Sequence, residues 1–399
     1  MKINTSPKKI DEILTRGVEG IIKKESLIKK LKSGRRLRVK HGIDPTTKDL
    51  HIGYAVVYEK LRLLQEMGHQ IVFLIGDFTG RFGDPTQRLE IRKLRNKKEV
   101  LALSKKYFKQ IGKLLDLNKT EIRYNSEWYD KMSAEELLKI MSSFTTMRML
   151  ERDMFQERIK KGQDIRLHEP VYPVLQGYDS VMLKSDLTVN GADQIFNELQ
   201  GRKLQEEFNQ PPQDILMVKL LIGTDGRQKM SQSLGNYIGI IEKAGDQYGK
   251  IMSIPDNIIC HYFELATGIP IKEIEKIKEG LETDKVKPQE AKSKLAREIV
   301  SVYHGKKRAL IVEEEFNRVF REKKLPAKIP EIQIKERYLN ILEFLMKIKL
   351  IPSKSEAKRL ILQKGIKISG KVQENWQETI QIKKGMVVQA GKRKFVKIV

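Results

Sequence analysis

The stretch from Lys40 to Tyr58 constrains the fold of this chain more than any other. Leu37–Ile43 has the apolar character of a short strand, Asp44-Pro45-Thr46 interrupts it, and His51-Ile52-Gly53-Tyr54 opens a helix. The start of a helix presents unpaired backbone N–H groups and the positive end of the helix dipole, which together suit a phosphate. The stretch therefore predicts a strand–loop–helix unit that can hold a phosphorylated ligand.

Two residues in this strand–loop–helix unit also favour the binding of a phosphorylated ligand. Gly53 has no side chain, so a flat ring can lie against the backbone there. His51 can donate a hydrogen bond to a phosphate oxygen that gains charge in a transition state. A His-x-Gly motif alone is also compatible with an ordinary strand-to-helix turn. A second stretch, Lys229-Met230-Ser231-Gln232-Ser233 in a glycine-flanked polar segment, favours the functional interpretation.

Together the HIGY and KMSQS stretches resemble the HIGH and KMSKS signatures of class I aminoacyl-tRNA synthetases. Further stretches narrow the resemblance to the tyrosyl-tRNA synthetase family, in its bacterial branch with a C-terminal S4 domain. They are GDFTGRFGDPT (Gly76–Thr86), YPVLQGYDS (Tyr172–Ser180), NGADQ (Asn190–Gln194) and KMSQSLGNYIGI (Lys229–Ile240). They follow the family's order and spacing over nearly the whole chain.

The resemblance implies an α/β fold with a Rossmann-like doubly wound parallel sheet and a helical insertion, then an all-helical domain and a small α+β S4-type RNA-binding domain. The expected boundaries are 1–236 for the catalytic domain, with the insertion at about 97–165, 237–324 for the helical domain, 325–335 for a linker and 336–399 for the S4-like domain. Two prolines without apolar periodicity support the linker.

Local patterns predict individual elements. Apolar spacing over Ile10–Leu31 predicts a helix that is interrupted near Gly17 or Gly20. The continuous apolar run Gln70–Ile75 is typical of a buried parallel strand. The segment from Lys97 to Arg158 is expected to be mostly helical, and a helix is expected to begin at Tyr172. The remaining expectations are helices at Val100–Leu115, Ser133–Met141 and Thr145–Ile159, and strands at Leu187–Val189 and Asp214–Ile222.

One face of the predicted helix at Tyr172 carries a phenol, a carboxamide and a carboxylate. Gln176 and Asp179 are three residues apart and Tyr172 lies one turn earlier, so the three share a face that suits a polar pocket. In the resemblance, Asp179 accepts a hydrogen bond from the tyrosine phenol, and Tyr172 and Gln176 contact the amino end. Asp84 binds the α-ammonium group there and Gln194 lines the pocket, although Asp84-Pro85 is also ordinary turn chemistry.

The resemblance also assigns the ATP site and the stabilisation of developing charge. The ATP-binding residues are Gly42, Asp44, His51, Gly53, Tyr54, Gly191, Asp193, Lys229, Met230 and Ser231. The residues expected to promote catalysis are Thr46, His51, Arg88, Arg92 and Lys229. ATP is a substrate, and Mg²⁺ is expected on the pyrophosphate; no metal-ligand spacing is found in the sequence itself.

Charge favours a polyanionic partner. The 399 residues carry a formal net charge of +25, which indicates either nucleic-acid binding or a general bias towards lysine. From Arg337 to Val399 there are 15 Lys and Arg against 4 Asp and Glu, and such a concentration argues for RNA. Within the S4 resemblance, the candidate RNA-binding residues are Lys354, Lys358, Arg359 and Lys364.

The expected partners are L-tyrosine, ATP and tyrosine tRNA, with a second copy of the chain in a homodimer. In the family the insertion carries the dimer interface, and here it holds an apolar set that also suits an intramolecular core: Phe144, Met147, Met149, Leu150, Met154 and Phe155. No apolar run is long enough for a membrane span. The N-terminus lacks a secretory core, and Cys260 is the only cysteine. A cytoplasmic location is the default expectation.

Four positions depart from the family pattern. Tyr54 replaces the second His of HIGH, Gln232 replaces the second Lys of KMSKS, Asn190 stands where glycine is usual, and Lys40 stands where a second phenol-binding tyrosine is common. The last departure keeps tryptophanyl-tRNA synthetase as an alternative, although a carboxylate such as Asp179 has no hydroxyl partner in an indole. A second alternative is an S4-type RNA-binding protein with an inactive enzyme core.

Overall fold

The computed structural model describes residues 3–45, 49–85, 94–322, 325, 329–391 and 394–399. The chain divides into two compact units, residues 1–310 and 311–399. Among the described residues the first unit has one sheet and the second has two, and each unit has its own buried core. Within the described ranges, no helix is both long and apolar enough to cross a membrane.

A six-stranded sheet forms the centre of the first unit. Its strands are β1 (Val18–Ile22), β2 (Arg38–Ile43), β3 (Gln70–Ile75), β4 (Thr120–Tyr124), β5 (Leu187–Gly191) and β6 (Asp214–Val218). The order across the sheet is β1-β6-β5-β2-β3-β4, and every neighbouring pair is parallel except β1 with β6. This is the expected α/β fold with a parallel-sheet core. The predicted strand Gln70–Ile75 is confirmed, with all but its first residue buried.

Sixteen α-helices begin within the described residues of the first unit, and the last of them continues past its boundary at residue 310. They are α1 (Pro7–Thr15), α2 (Lys24–Lys32), α3 (Ala55–Glu66), α4 (Thr79–Phe82), α5 (Lys97–Ile111), α6 (Ser126–Tyr129), α7 (Ala134–Met141), α8 (Thr146–Leu150), α9 (Asp153–Lys160), α10 (His168–Leu183), α11 (Ile195–Glu207), α12 (Ala244–Ile251), α13 (Ile259–Ala266), α14 (Ile271–Glu282), α15 (Pro288–His304) and α16 (Lys306–Phe316). A 3₁₀ turn, Ile52–Tyr54, leads into α3. At the start of α7, Ser133 and Glu136 form a capping box.

The helix predicted over Ile10–Leu31 is interrupted near Gly17 as expected, but the prediction did not include a strand at the interruption. Residues Val18–Ile22 form β1, which pairs with β6 almost 200 residues later in the chain. Gly17, at φ +61°, separates α1 from β1 in a backbone conformation that favours glycine. The apolar residues of Val18–Ile22 fit helical spacing equally well, so a long-range pairing decided the outcome.

The insertion expected at about 97–165 is mostly helical, as predicted, but it also contains a strand that the prediction did not include. Strand β4 lies within it and extends the sheet parallel to β3. The helix expected over Thr145–Ile159 is two helices, α8 and α9, because Arg152 has extended backbone angles between them. The helix expected to begin at Tyr172 begins one turn earlier, at His168, and contains Pro173.

The second unit is small and mixed. Its helices are α17 (Ile341–Lys347) and α18 (Lys354–Leu362), and its strands are β7 (Glu331–Ile332), β8 (Tyr338–Asn340), β9 (Ile366–Ile368), β10 (Lys371–Val372), β11 (Thr379–Gln381), β12 (Val387–Ala390) and β13 (Lys394–Ile398). The larger sheet has the order β10-β9-β12-β13-β7 and the smaller pairs β11 with β8. Strand β7 lies within the segment expected to be a linker, and pairs in parallel with β13.

Candidate active site

The candidate site lies at the point of the first unit's sheet where the order of successive strands reverses. From β2 the chain adds β3 and β4 on one side, whereas β5 and β6 lie on the other side of β2. Ligands of open α/β sheets bind beyond the carboxyl ends of the strands at such a point. Asp44 follows β2, and Ala192–Gln194 follows β5. The structure therefore brings the predicted motifs to one edge of the sheet.

Asp179 on α10 is buried, with 3% of its surface exposed. Its Oδ1 accepts from Trp128 Nε1 at 3.1 Å and its Oδ2 from Asn125 Nδ2 at 3.4 Å. Burial raises the pKa of Asp179 to about 7, against the opposing effect of Lys40 and these hydrogen bonds. Sequence reasoning missed Asn125 and Trp128, which lie between β4 and α7 in a segment interpreted as helical.

A chain of hydrogen bonds connects this carboxylate with Asp44. Asn125 Nδ2 donates to Thr79 Oγ1 at 2.9 Å, and Thr79 Oγ1 donates to Asp44 Oδ1 at 2.8 Å. The Tyr172 hydroxyl donates to Asp44 Oδ2 at 2.8 Å. Because the Asp44 carboxylate fills the space next to Gly76, any Cβ there would collide with it. Asp44, expected on the ATP side, and Tyr172, expected on the amino-acid side, therefore touch.

The other predicted amino-acid residues form a second chain. Gln194 Nε2 donates to Asp84 Oδ2 at 2.9 Å. Asn197 Nδ2 donates to Gln194 Oε1 at 3.1 Å and to Gln176 Oε1 at 2.8 Å. Gln176 Nε2 donates to Glu198 Oε1 at 2.9 Å. The structure thus joins Asp84, Gln176 and Gln194 through Asn197, a residue that sequence reasoning did not single out.

His51 is neutral at ordinary pH. Burial, together with the positive charge of Lys229, lowers its pKa to about 4. Its ring lies 4.5 Å from that of Tyr54, and a Cβ on Gly53 would come within 2.8 Å of His51 Nδ1. Gly53 therefore leaves room for the imidazole as well as for a ligand. Among the described residues His51 Nδ1 has no hydrogen-bond partner, so a neutral nitrogen remains for a ligand to engage.

The KMSQS loop lies against this edge. Lys229 Nζ is 2.8 Å from Asp193 Oδ2, with one-third of the lysine side chain exposed. Met230 is buried, and the Ser231 backbone N–H donates to Asn236 Oδ1 at 2.8 Å. Gln232 donates through its side chain to the carbonyl of Asp49. The side chain that replaces the usual second lysine thus ties the loop to the segment before His51.

The two remaining predicted glycines line the same edge. Gly42 lies in β2 and pairs with Leu74 in β3. Gly191 ends β5, and a Cβ on it would approach Asp193 Oδ1 to 2.8 Å. Close packing against the carboxylate therefore accounts for this glycine. Three predicted catalytic residues, Thr46, Arg88 and Arg92, lie outside the described residues.

One cation near the site was missed by sequence reasoning. Arg152 is 9% exposed, and its guanidinium lies 5.1 Å from the centre of the Phe196 ring. Asp84 and Asp193 act on it electrostatically, although burial dominates and lowers its pKa. Arg152 immediately precedes α9, in a segment that carries no glycine or proline to indicate an interrupted helix.

The four candidate RNA-binding residues lie on the surface of the second unit. Lys354, Lys358 and Arg359 are on α18, and Lys364 follows it. Lys354 pairs with Glu343 at 3.2 Å and Lys364 with Glu374 at 2.9 Å, whereas Lys358 Nζ lies 3.9 Å from the Trp376 ring centre. Arg359 pairs with Glu356. These pairs are exposed and therefore weak, so a polyanion can compete for the cations.

Residues 32–321 match the family described as tRNA synthetases class I (W and Y), and residues 322–398 match the tyrosine–tRNA ligase SYY-like C-terminal domain. Tyrosine–tRNA ligase of Moorella thermoacetica is 45% identical over 390 residues, covering 97% of this chain and 94% of that protein. The Thermotoga maritima enzyme of the same name is 43% identical over 98% of both chains.

Solved structures agree on the fold. Tyrosyl-tRNA synthetase of Archaeoglobus fulgidus, complexed with L-tyrosine, aligns with a TM-score of 0.61 over 76% of this chain and 99% of that one, at 21% identity. Residues 32–321 make up well over half of this chain, and relatives above 40% identity span nearly all of it. The chain belongs to the class I tRNA synthetases of the tryptophan and tyrosine (W and Y) family.

Proposed function

We propose that this chain is a tyrosine–tRNA ligase. In the first step the carboxylate of L-tyrosine attacks the α-phosphate of ATP, which gives tyrosyl-adenylate and releases pyrophosphate. In the second step the tyrosyl group moves to the 3′-terminal adenosine of tyrosine tRNA. Neither step needs a covalent enzyme intermediate, so positioning and electrostatic stabilisation supply the catalysis.

The observation that carries this proposal is the buried carboxylate of Asp179. It lies on one face of α10 with Gln176 and Tyr172, in the arrangement expected for a phenol acceptor. Trp128 and Asn125 hold this carboxylate in place, and its oxygens have further capacity to accept a hydrogen bond from a substrate hydroxyl. The alternative substrate, tryptophan, offers no hydroxyl group to Asp179. The relatives at 43–45% identity are named tyrosine–tRNA ligases, which also favours tyrosine.

At the amino end of the substrate, Asp84 binds the α-ammonium group, and Tyr172, Gln176 and Gln194 surround it. The hydrogen bonds that join Gln194 with Asp84 and with Asn197 support this assignment, because they hold the acceptor oxygens in one place. Arg152 lies close enough to Asp84 and Asp193 to interact electrostatically with both carboxylates. It keeps the local charge near balance before the ammonium group arrives.

At the nucleotide end, Asp193 holds the ribose hydroxyls and Lys229 moves from Asp193 onto the phosphates. The neutral imidazole of His51 donates a hydrogen bond to the α-phosphate. The backbone and side chains of the other ATP-binding residues enclose the nucleotide: Gly42, Asp44, Gly53, Tyr54, Gly191, Met230 and Ser231. Thr46, Arg88 and Arg92 complete the set on the pyrophosphate side. Mg²⁺ enters with ATP as part of the substrate and neutralises its phosphates.

The second unit, in this proposal, is an S4-type module that binds tRNA through phosphates. Its four surface cations Lys354, Lys358, Arg359 and Lys364, and its net positive charge, support that role. We also propose that the chain acts as a homodimer through the insertion. Leu138 and Met147 there are 63% and 83% exposed and offer apolar surface to a partner subunit, whereas Met149, Met154 and Phe155 are buried within this chain.

The test is amino-acid-dependent exchange between ATP and pyrophosphate, run with each of the twenty amino acids. Tyrosine alone should support rapid exchange. Exchange with tryptophan alone would favour the other branch of the family. The absence of exchange with every amino acid, together with retained tRNA binding, would show an RNA-binding protein with an inactive core.

A truncation separates the roles of the two units. A chain that ends within 325–330 should keep adenylate formation nearly intact, whereas transfer to tRNA should collapse. Loss of adenylate formation in the truncated chain would contradict the proposed boundary.

A further inference from the structure

Lys40 and Glu198 form an ion pair at the centre of the first unit. Lys40 Nζ lies 2.8 Å from Glu198 Oε2, and each side chain is only 1% exposed. Lys40 is on β2 and Glu198 is on α11, so the pair joins the sheet to a helix that covers it. Burying two charges costs solvation energy that their attraction often fails to recover, so stability alone gives a weak reason for such a pair.

Glu198 also fixes a residue of the amino-acid pocket. Its Oε1 accepts from Gln176 Nε2 at 2.9 Å and from Asn190 Nδ2 at 2.6 Å. Its Oε2 accepts from Gln213 Nε2 at 3.1 Å in addition to Lys40. With its amide nitrogen on Glu198, the Gln176 carboxamide has one orientation and turns its oxygen towards Asn197.

Lys40 acts at the other end of the pocket. Its Nζ donates to Ser180 Oγ at 2.7 Å, and Ser180 is the neighbour of Asp179 on α10. Among the groups that lower the pKa of Asp179, Lys40 has the largest effect. The other groups that face this carboxylate are Asn125, Trp128 and Tyr129 from the α6 region and Tyr172 from α10 itself.

We propose that Lys40 and Glu198 are positioning residues for the amino-acid substrate, Glu198 by orienting Gln176 at the amino end and Lys40 by placing a positive charge beside Asp179 at the phenol end. The inference rests on the proposed function and deepens it. It assigns a role to Lys40, which stands where the family commonly has a second phenol-binding tyrosine. Here the buried ammonium group of Lys40 stabilises the carboxylate form of Asp179, the proposed phenol acceptor.

The central experiment compares wild type with the double variant Lys40→Met/Glu198→Gln. The double variant removes both charges together and keeps a carboxamide oxygen in place for Gln176 and Asn190, so it avoids an unpaired buried charge. The control is Lys30→Met/Asp214→Asn, which neutralises another ion pair of the same unit (Nζ to Oδ2 3.0 Å, Asp214 1% exposed) without a bond to the pocket.

Two quantities are measured for each protein: the dissociation constants of tyrosine and ATP, and the pH dependence of tyrosine binding. In the Lys40→Met/Glu198→Gln variant, tyrosine should bind about tenfold more weakly or worse at pH 7, the scale of one lost hydrogen bond to a charged group. The affinity for ATP should stay unchanged. The midpoint of tyrosine binding should move to higher pH, because Asp179 holds its proton longer without the neighbouring cation, and affinity should recover towards pH 9.

The control variant should bind tyrosine with wild-type affinity and an unshifted pH midpoint. If the Lys40→Met/Glu198→Gln variant gives the same result as this control, the pair is only structural and the inference is overturned. If wild type itself shows no tyrosine-dependent exchange, the proposed function fails instead, which is a separate outcome.

A second variant keeps the test decisive if the double variant does not fold. Glu198→Asp keeps both charges but withdraws the carboxylate by one methylene from Gln176. Tyrosine binding should weaken about tenfold, and the pH midpoint should stay in place because Lys40 remains. Unchanged tyrosine affinity in folded Glu198→Asp would also overturn the inference.

Discussion

At the amino-acid end of the site, Asp179 and Glu198 are 3% and 1% exposed, whereas at the nucleotide end one-third of the Lys229 side chain is exposed. Asp179 accepts from Asn125 and Trp128 at α6, and Glu198 accepts from Gln176 on α10 and Asn190 on β5. Lys229, by contrast, lies on a loop, and among the described residues it pairs with the carboxylate of Asp193. Under the proposed function, the amino-acid end is therefore organised before the substrate binds, and the nucleotide end has a contact, between Lys229 and Asp193, that ATP would rearrange.

This difference indicates how the two ends contribute. A buried polar site discriminates strongly because an analogue that lacks a partner leaves polar groups unpaired. A mobile cation discriminates little but stabilises charge that develops during reaction. Variants at the amino-acid end should thus change which substrate binds, and variants at the nucleotide end should change how fast the bound substrates react.

The largest effect is expected for Asp179→Ala. Tyrosine activation should fall severely and the preference for tyrosine over phenylalanine should largely disappear. Wild-type preference should be roughly 10⁴–10⁵, a figure known from tyrosyl-tRNA synthetases themselves and carried over from that family. Exchange kinetics with both amino acids measure it. The control is Asp186→Asn, a carboxylate at the opposite edge of the sheet that accepts from the Arg38 backbone. An unchanged preference in Asp179→Ala would remove Asp179 from the pocket.

The next largest effect is expected for Lys229→Ala. Adenylate formation should slow by about 10²–10³-fold, the scale for loss of one stabilising donor. Tyrosine affinity should barely change, because Lys229 lies at the nucleotide end. Rapid-quench kinetics measure the rate, with the exposed Arg227→Ala in the same loop as control. A rate within about threefold of wild type, ~0.65 kcal/mol of barrier, would exclude Lys229 from catalysis.

A smaller effect concerns stability against pH. Unfolded Asp179 loses its proton near pH ~3.9, whereas the folded protein holds it until about pH 7. Between these values the folded state binds the extra proton, so this group lowers stability as pH rises. The free energy of unfolding of Asp179→Asn relative to wild type should therefore increase from pH 4 to pH 7, by roughly 4 kcal/mol at most. Urea unfolding across that range measures it; a constant difference would show that Asp179 titrates normally.

The smallest effect is expected for the titration of His51. Because its pKa is lowered to about 4, the imidazole is already neutral throughout pH 5.5–8. At saturating tyrosine and ATP, the rate of adenylate formation should show no step from His51 in that range. The test compares pH profiles of wild type and His51→Gln. A step near pH 6 that is present in wild type and lost in the variant would show that His51 titrates normally.

Much of the fold follows from local pattern, and the errors share one physical origin. The strand Gln70–Ile75 was predictable because a continuous apolar run suits a strand buried on both faces. Strand β1 was not, since Val18, Ile21 and Ile22 satisfy helical and strand spacing alike, and only pairing with β6 selects the strand. Strand β4, with the alternating sequence Thr-Glu-Ile-Arg-Tyr, is likewise defined by its neighbour β3.

The residues of the candidate site also separate into those that local spacing predicts and those that only distant partners reveal. Spacing along α10 was enough to group Tyr172, Gln176 and Asp179 on one face. Glu198 and Asn125 were missed because nothing in their own neighbourhood marks them. Their importance comes from partners that are distant in sequence, such as Lys40 for Glu198 and Thr79 for Asn125.

The most direct test of this account is rapid-quench adenylate formation with tyrosine and ATP varied separately, for wild type, Asp179→Ala and Lys229→Ala. The account predicts that Asp179→Ala raises the tyrosine concentration needed for half-maximal rate and leaves that for ATP unchanged. It predicts that Lys229→Ala lowers the maximal rate and leaves the tyrosine requirement unchanged. If both variants lower the maximal rate alone, or both weaken tyrosine binding alone, the two ends do not divide selection and catalysis between them, and the account is contradicted.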